Sequence, residues 1–197
     1  TAPLAVAFTD TSSGTVNTWS WDFDSDGTED STVQNPNYTY NTPGNYSVRL
    51  YVSGPGGGGS TNKTNYITAY EQSSADFSGT PTSGPASLVV TFTDASTGDV
   101  DTWSWDFDND GTEDSTVQNP TYTYNTPGIY TASLTASGLG GSDTNTKTDY
   151  VTVYTPASAD FSGTPTSGIG TLAVNFINAS TGDVDSWSWD FDNDGTE

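Results

Sequence analysis

The sequence predicts an all-β chain of tandem β-sandwiches that repeat every 84 residues. Short segments alternate apolar with polar side chains, which is typical of strands with one buried face, and no helical periodicity is evident. Turn signals separate these segments about every 8–12 residues, as in β-sandwiches. Residues 21–30 recur as residues 105–114, and the same motif begins again at residue 189. Self-similarity at a fixed period indicates an array of like units.

Alignment of the repeats divides the chain into three parts. Thr1 aligns with Pro85 and Ile169. This predicts a first repeat without its first strand (1–72), a complete second repeat (73–156) and the N-terminal part of a third (157–197). Such ends would expose unpaired strand edges. We therefore expect the 197 residues to be a slice of a longer array.

The complete repeat shows where the strands are expected. Residues 88–92 alternate apolar with polar or small side chains, and the corresponding residues 4–8 and 172–176 do the same. A second strand is predicted around Trp103 and Trp105, and a third is predicted by the alternation in residues 46–53. A closing strand is expected over 150–154, matched by 66–70. Gly-rich stretches at 54–59 and 138–141 predict the hairpin between the last two strands.

Composition excludes several function classes. Three Lys and Arg stand against 25 Asp and Glu, for a formal net charge of −22. This sign disfavours nucleic acid and anionic membrane surfaces, and it favours divalent cations or cationic surfaces. No apolar run is long enough to insert into a bilayer. The chain has neither Cys nor His, so Ser-His or Cys-His catalysis and zinc sites built on those residues are impossible within it. We expect it not to be an enzyme.

The acidic loop is the best candidate for a binding site. In the second repeat, four aspartates fall at relative positions 1, 3, 5 and 9, with Gly111 at position 6. Ca²⁺ takes ~6–8 oxygen ligands, often from alternating carboxylates around a Gly turn. Position 12, which is a bidentate Glu in an EF-hand, is Val117, so the loop is not a full EF-hand. The predicted Ca²⁺ ligands in the three repeats are Asp22, Asp24, Asp26, Asp30, Asp106, Asp108, Asp110, Asp114, Asp190, Asp192 and Asp194.

Two other interpretations of these aspartates stay open. The loop could be a solvated acidic turn without an ordered metal. The first aspartate of each loop (Asp22, Asp106 and Asp190) could instead bond to the backbone of the sandwich.

The abundant aromatic residues also have two interpretations. Trp21 and Trp105 are expected to fill the sandwich core, as tryptophans do in this architecture. The remaining tyrosines either pack in the core and at its edge or form a carbohydrate-stacking strip. These tyrosines are Tyr38, Tyr40, Tyr122 and Tyr124.

Four asparagines fit the N-glycosylation pattern, which is short and often matches by chance. The corresponding positions of the second repeat lack it, so any sugars would differ between repeats. The candidate sites are Asn37, Asn45, Asn62 and Asn178.

These motifs together resemble the PKD (polycystic kidney disease) repeat. The resemblance rests on residues 92–98, the Trp-Asp-Phe of 105–107 with its acidic Gly loop, Asn-Pro at 119–120, Tyr124, and Pro-Gly-Ile-Tyr at 127–130. The chain departs from the family pattern where Asp replaces a Gly after Phe. These departures are Asp24, Asp108 and Asp192. The resemblance implies an immunoglobulin-like sandwich and an extracellular module without chemistry of its own.

Repeat and resemblance together predict a non-catalytic structural array at the cell surface or outside the cell, such as a stalk, surface-layer element or fibre subunit, with Ca²⁺-binding loops. Its expected partners are neighbouring repeats and further copies of itself in a fibre or lattice. The alternative is an accessory module of a secreted hydrolase that binds a polysaccharide or a surface protein.

Overall fold

The computed structural model describes residues 1–196, and every regular element among them is a β-strand. The predicted all-β fold class is therefore confirmed. No helix in this part of the chain could cross a bilayer.

The first repeat contains two sheets that enclose an aromatic core. The strands are β1 (Leu4–Ala7), β2 (Thr18–Asp22), β3 (Asn37–Tyr40), β4 (Gly44–Gly54) and β5 (Gly57–Ala69). One sheet pairs β1 with β3, and the other has the order β2-β4-β5. The predicted hairpin joins β4 to β5, with Gly54 paired to Gly57. The side chains that fill the space between the sheets are Phe8, Trp21, Phe23, Tyr40, Val48, Leu50 and Ala69.

The second repeat has the same plan with more strands. They are β6 (Phe77–Thr80), β7 (Ser83–Pro85), β8 (Leu88–Asp94), β9 (Thr102–Asp106), β10 (Thr121–Tyr124), β11 (Gly128–Gly138) and β12 (Gly141–Tyr154). Their sheets have the orders β10-β8-β6 and β7-β12-β11-β9. The counterpart of β8 in the first repeat is β1, which among residues 1–196 pairs with β3 alone.

Aromatic rings dominate the core of the second repeat. Trp105 and Phe92 are fully buried, and Phe77 and Phe107 are 1% exposed. Adjacent ring centroids lie 4.6 Å apart for Phe92 and Phe107 and 5.3 Å apart for Phe77 and Trp105. Large buried rings dominate core energetics. The prediction that Trp21 and Trp105 are core residues is confirmed, because Trp21 is also buried.

The third part contains only β13 (Phe161–Thr164) and β14 (Asn175–Asn178), which pair antiparallel. The predicted strand over 172–176 is wrong in its start, since residues 172–174 are not in a strand. Among the described residues, no counterparts of β11 and β12 cover these strands. Their apolar side chains remain exposed, and Phe161 is 62% exposed whereas its counterpart Phe77 is 1% exposed.

A carboxylate outside the acidic loops holds Trp19 in place in the first repeat. Asp10 accepts hydrogen bonds from the amide of Ser12 at 2.8 Å and from the indole Nε1 of Trp19 at 2.7 Å. Gln34 donates a longer one, of 3.3 Å. Hydrogen bonding by the side chain of Ser12 is the main cause that lowers the pKa of Asp10 from its ordinary 3.8 to about 2, and the Ser12 amide, Trp19 and Gln34 add to it against a smaller opposing effect of burial.

Replacing a core ring tests this description of the second repeat. Phe107→Ala should destabilise it by about 3–5 kcal/mol, because the change removes a buried ring and leaves a cavity. The matched control is Phe191→Ala, at the corresponding position of the third repeat, where the ring is 69% exposed. Urea denaturation followed by tryptophan fluorescence measures both variants. Equal losses of unfolding free energy would contradict the assignment of Phe107 to the core.

Asp10 should make stability depend on acid pH. Its native pKa lies below its value in the unfolded chain, so the stability it contributes is complete above pH 3.8 and is lost as the pH falls through about 2. The unfolding free energy, measured from about pH 5 to 2, should therefore fall less steeply in Asp10→Asn than in the unmodified chain. Trp19→Phe, which removes one donor, should give an intermediate slope. An unchanged slope in Asp10→Asn would refute this role.

Candidate metal centre

Each acidic loop of the first two repeats begins at the end of a strand and returns to the same strand. The first loop starts at Asp22, the last residue of β2, and Ser31 then forms an isolated bridge with Trp21. In the second repeat the corresponding bridge joins Ser115 to Trp105. A buried tryptophan on a strand therefore fixes both ends of the loop.

The first aspartate of each loop accepts hydrogen bonds from the loop backbone. In the first repeat, Asp22 accepts from the amides of Asp26 at 3.2 Å and Gly27 at 3.0 Å. This carboxylate therefore bonds to backbone, but the interpretation that its partners belong to the sandwich is wrong, because both amides belong to the loop. The second repeat reproduces both contacts, to Asp106 from the amides of Asp110 (3.3 Å) and Gly111 (2.9 Å).

The last aspartate of each loop folds back to the start. Asp30 accepts from the amide of Phe23 at 2.7 Å, and Asp114 accepts from the amide of Phe107 at 2.8 Å. Each of these phenylalanines is 1% exposed. The carboxylate at position 9 is therefore held against the carboxylates at positions 1 and 3 by a residue anchored in the core.

The loop turns through two left-handed backbone conformations. Gly27 and Gly111 have φ values of 91° and 88°, and Ser25 and Asn109 have φ values of 61° and 57°. Glycine adopts positive φ without steric cost. The turn therefore favours glycine at position 6 of the loop, and a residue with a side chain would be strained at this φ.

The structure brings together three of the four predicted ligands in each of the first two loops. One oxygen each from Asp22, Asp24 and Asp30 lies within 4.8 Å of the others. Asp26 is not in this group, and its carboxylate accepts from the amide of Thr28 at 2.7 Å. The second repeat shows the same division, with Asp110 bonded to Thr112. The corresponding group in the second repeat is Asp106, Asp108 and Asp114. The group in the third repeat is Asp190, Asp192 and Asp194, so there the aspartate at position 5 takes part although it also accepts from the amide of Thr196 at 2.9 Å.

The clustered charges change the acidity of individual carboxyl groups. Partial desolvation is the largest cause that raises the pKa of Asp24 and of Asp108, and neighbouring carboxylates add to it. In the third repeat the amide of Gly195 is the main cause that lowers the pKa of Asp190. Anions held together without a counter-charge repel one another, which is the electrostatic condition that favours a bound cation.

This donor set suits a hard divalent cation. Ca²⁺ binds oxygen at about 2.3–2.6 Å, so two of its ligands are separated by at most about 5 Å. The oxygens of each cluster satisfy that limit. Three carboxylates supply fewer oxygens than the ~6–8 that Ca²⁺ takes, so carbonyl groups or water would complete the coordination.

The tyrosines pack in the core, and the interpretation as a carbohydrate-stacking strip is wrong. Tyr40 and Tyr124 are each 2% exposed, and their hydroxyls donate to the carbonyls of Phe23 (3.0 Å) and Phe107 (2.9 Å). The other two tyrosines are half-buried with ring centroids 4.4–4.5 Å from the same phenylalanines; they are Tyr38 and Tyr122. The accessory-module alternative therefore has no aromatic strip on these strands.

The four candidate glycosylation asparagines are all exposed, each within a strand. Exposure is necessary for modification and does not establish it, so glycosylation stays a prediction. The four side chains are those of Asn37, Asn45, Asn62 and Asn178.

Two aspartates that sequence analysis did not select hold the linker residues. The amide of Glu71 donates to Asp99 at 2.6 Å, and the amide of Thr155 donates to Asp183 at 2.6 Å. The preceding glycine approaches the linker closely, since a Cβ on Gly98 would lie 2.2 Å from a linker carbonyl oxygen. The signal in the sequence was the recurrence of Thr-Gly-Asp at 97–99 and 181–183, against Ser-Gly-Thr at 13–15.

Comparison with known proteins identifies the family. Residues 1–69 and 74–153 each match the family model of the PKD domain. The chain belongs to the PKD domain family. The predicted resemblance is thus confirmed, and the two matched segments are tandem PKD domains. PKD domains are typically extracellular and non-catalytic modules.

Solved structures with a similar fold are immunoglobulin-like. The amphioxus IgVJ-C2 molecule is 17% identical with a TM-score of 0.47, over 76% of this PKD chain and 97% of that one. The N-terminal four Ig domains of Dscam1 isoform 4.44 are 12% identical with a TM-score of 0.43, over 77% of this chain and 41% of that one. The chain therefore spans about two fifths of the length of the Dscam1 structure it matches.

Removing the charge of Asp99 should free the linker amide it holds. Asp99→Asn keeps the shape of the side chain but weakens a charge-assisted hydrogen bond, so the amide of Glu71 should exchange with solvent roughly tenfold faster. Hydrogen exchange resolved by residue measures this rate. Asp101→Asn, an exposed change two residues away, is the control. Equal exchange in both variants would show that the carboxylate does not hold the linker.

Proposed function

We propose that this chain is a non-catalytic structural array outside the cell or on its surface, a stalk, surface-layer element or fibre subunit, whose acidic loops bind Ca²⁺. The observation that carries the proposal is the recurrence of one carboxylate cluster on the same loop of successive repeats. Equal units at a regular interval suit spacing and repeated weak contacts better than a single reaction.

Ca²⁺ would have a mechanical role at these loops. With a net charge of −22, the chain repels itself, and each cluster concentrates three carboxylates at one point. A bound cation would offset this repulsion. It would also link Asp24 to Asp22 and Asp30, at the two ends of the loop, and so fix the loop against the strand that carries the core tryptophan.

The same arrangement supports association between copies. Nearly identical repeats present equivalent patches at a regular interval, so one favourable contact recurs along the chain. Lateral or head-to-tail contacts of this kind extend into a fibre or lattice.

Calcium binding is tested by calorimetric titration and by thermal melting of the full chain after treatment with EDTA. We expect saturable binding and a melting temperature about 5 °C or more higher with excess Ca²⁺, because ligands that bind only the native state stabilise it. Mg²⁺ should raise the melting temperature less than Ca²⁺ does, since it demands a smaller octahedral site and retains its water.

A matched pair of variants distinguishes the loss of a Ca²⁺ ligand from the loss of one negative charge elsewhere in the loop. Asp108→Asn removes a member of the second cluster, whereas Glu113→Gln removes one charge from the same loop outside the cluster. Asp108→Asn should abolish binding at one site, and Glu113→Gln should retain it. An unchanged melting curve with EDTA and Ca²⁺, or the same effect in both variants, would contradict the calcium site.

A further inference from the structure

We propose that two copies of this chain associate face to face through the outer surface of the sheet β10-β8-β6 in the second repeat. This inference rests on the proposed function, because it names a surface for the association between copies. It requires no bound metal, so its test is independent of the calcium site. The side chains of this surface, called the hydroxyl face below, are Ser78, Thr80, Val89, Thr91, Thr93, Thr121 and Thr123.

Strict alternation along the strands separates the hydroxyl face from the core. On β8 the even-numbered residues from 88 to 92 are buried, and the odd-numbered residues from 89 to 93 are exposed. The register places Thr91 opposite Thr80 on one side and opposite Thr121 on the other. Because neighbouring strands lie about 4.8 Å apart, these three threonines form a close row across the sheet.

The hydroxyl face carries no charged side chain, although the chain has a net charge of −22. Two copies repel each other wherever their carboxylates approach, since like charges placed opposite each other cost free energy. The other sheet of the second repeat differs in this respect, because its strand β9 ends at Asp106 of the acidic cluster. The hydroxyl face is therefore a surface at which two acidic copies can approach closely.

The hydroxyl groups of this face are not bonded to the rest of their own chain. Within residues 1–196, its six Ser and Thr side chains make no hydrogen bond to another protein group. Hydroxyls of the other sheet bond to each other instead, as Thr135 does with Thr144 at 2.8 Å and Ser137 with Ser142 at 2.9 Å. The hydroxyl face thus keeps its donors and acceptors available for a partner.

A second copy is the partner that fits these properties. Each hydroxyl is both a donor and an acceptor, so the face can hydrogen-bond to an identical face. The threonine methyl groups and Val89, which is 54% exposed, add apolar area, and β-branched side chains pack well on a pleated surface. A pair of identical surfaces is related by a two-fold axis. Thr91, in the middle of the central strand, would lie nearest that axis and meet its own counterpart.

The corresponding surface of the first repeat is also uncharged. Its outward side chains are Ala5 and Ala7 on β1 and Asn37 and Thr39 on β3, and all four are exposed. The outward side chains of more than one repeat therefore suit contact with another copy. Lateral association of this kind can recur along an array of repeats, as the proposed function requires.

The salt dependence of association tests the absence of charge. Sedimentation of the full chain is measured in EDTA at increasing protein concentration. Raising NaCl from about 50 to about 500 mM should lower the concentration at half-association at least tenfold, because salt screens the repulsion between acidic copies and leaves contacts between uncharged groups in place. Association through ion pairs would weaken instead.

A charge placed at the centre of the face tests its location. Thr91→Asp should raise the concentration at half-association at least a hundredfold, since the pair would then bury two like charges. The matched control is Thr146→Asp, which makes the same charge change at an exposed position of β12 in the other sheet. At high salt this control should associate like the unmodified chain.

A mixture of two variants tests the two-fold arrangement. Thr91→Asp and Thr91→Lys should each remain monomeric alone and associate when mixed, because opposite charges would then meet at the axis. Association in the mixture would also show that both variants are folded. Mixing Thr146→Asp with Thr146→Lys should give no association beyond that of the unmodified chain.

Four results would overturn the proposal. They are a monomer at every concentration in high salt, association that weakens as salt rises, equal effects of Thr91→Asp and Thr146→Asp, and no association in the mixture of the two Thr91 variants. Any of these with calcium binding retained would refute this contact and leave the metal site standing. Association through the hydroxyl face without calcium binding would refute the metal site alone.

Discussion

The rest of the repeat depends on the burial of one phenylalanine inside each acidic loop. Phe23 and Phe107 sit between two aspartates, yet each is 1% exposed. The amide of each donates to the last aspartate of the loop, and the carbonyl of each accepts from a buried tyrosine hydroxyl. The ring belongs to the core while its backbone holds the carboxylates together. A densely charged loop can thus be ordered, because the hydrophobic burial that stabilises the sandwich also anchors it.

Local pattern was sufficient for much of the fold. Alternation around Leu88 and Trp105 predicted both strands, and the Gly-rich stretch at 54–59 predicted the hairpin, because strand period and turn chemistry are properties of neighbouring residues. The strand start at 172 could not be predicted in this way. Leu172 has the same alternation as Leu88, but residues 88–91 pair with β10, whereas no strand among the described residues pairs with residues 172–174.

The candidate site could likewise be predicted from the sequence only in part. Spacing predicted which aspartates belong to the loop, but it could not separate Asp24 from Asp26, since both lie at alternating positions. In the folded first loop Asp24 lies close to Asp22 and Asp30, whereas Asp26 accepts from the amide of Thr28 and lies outside that group. Asp99 was missed for a different reason. Its partner is a backbone amide 28 residues away, so only its recurrence at the repeat period distinguished it from other surface acids.

The third repeat shows which features of the acidic loop form without a closed sandwich core around them. There Phe191 is 69% exposed instead of buried, and the core around it is open. The loop nevertheless keeps its turn, with Gly195 at a φ of 86° and its amide donating to Asp190 at 3.0 Å. The turn is therefore encoded locally by Asp and Gly at fixed spacing. In the first two repeats the last aspartate accepts from the amide of a phenylalanine that is 1% exposed, so there the closed core also orders the far end of the loop.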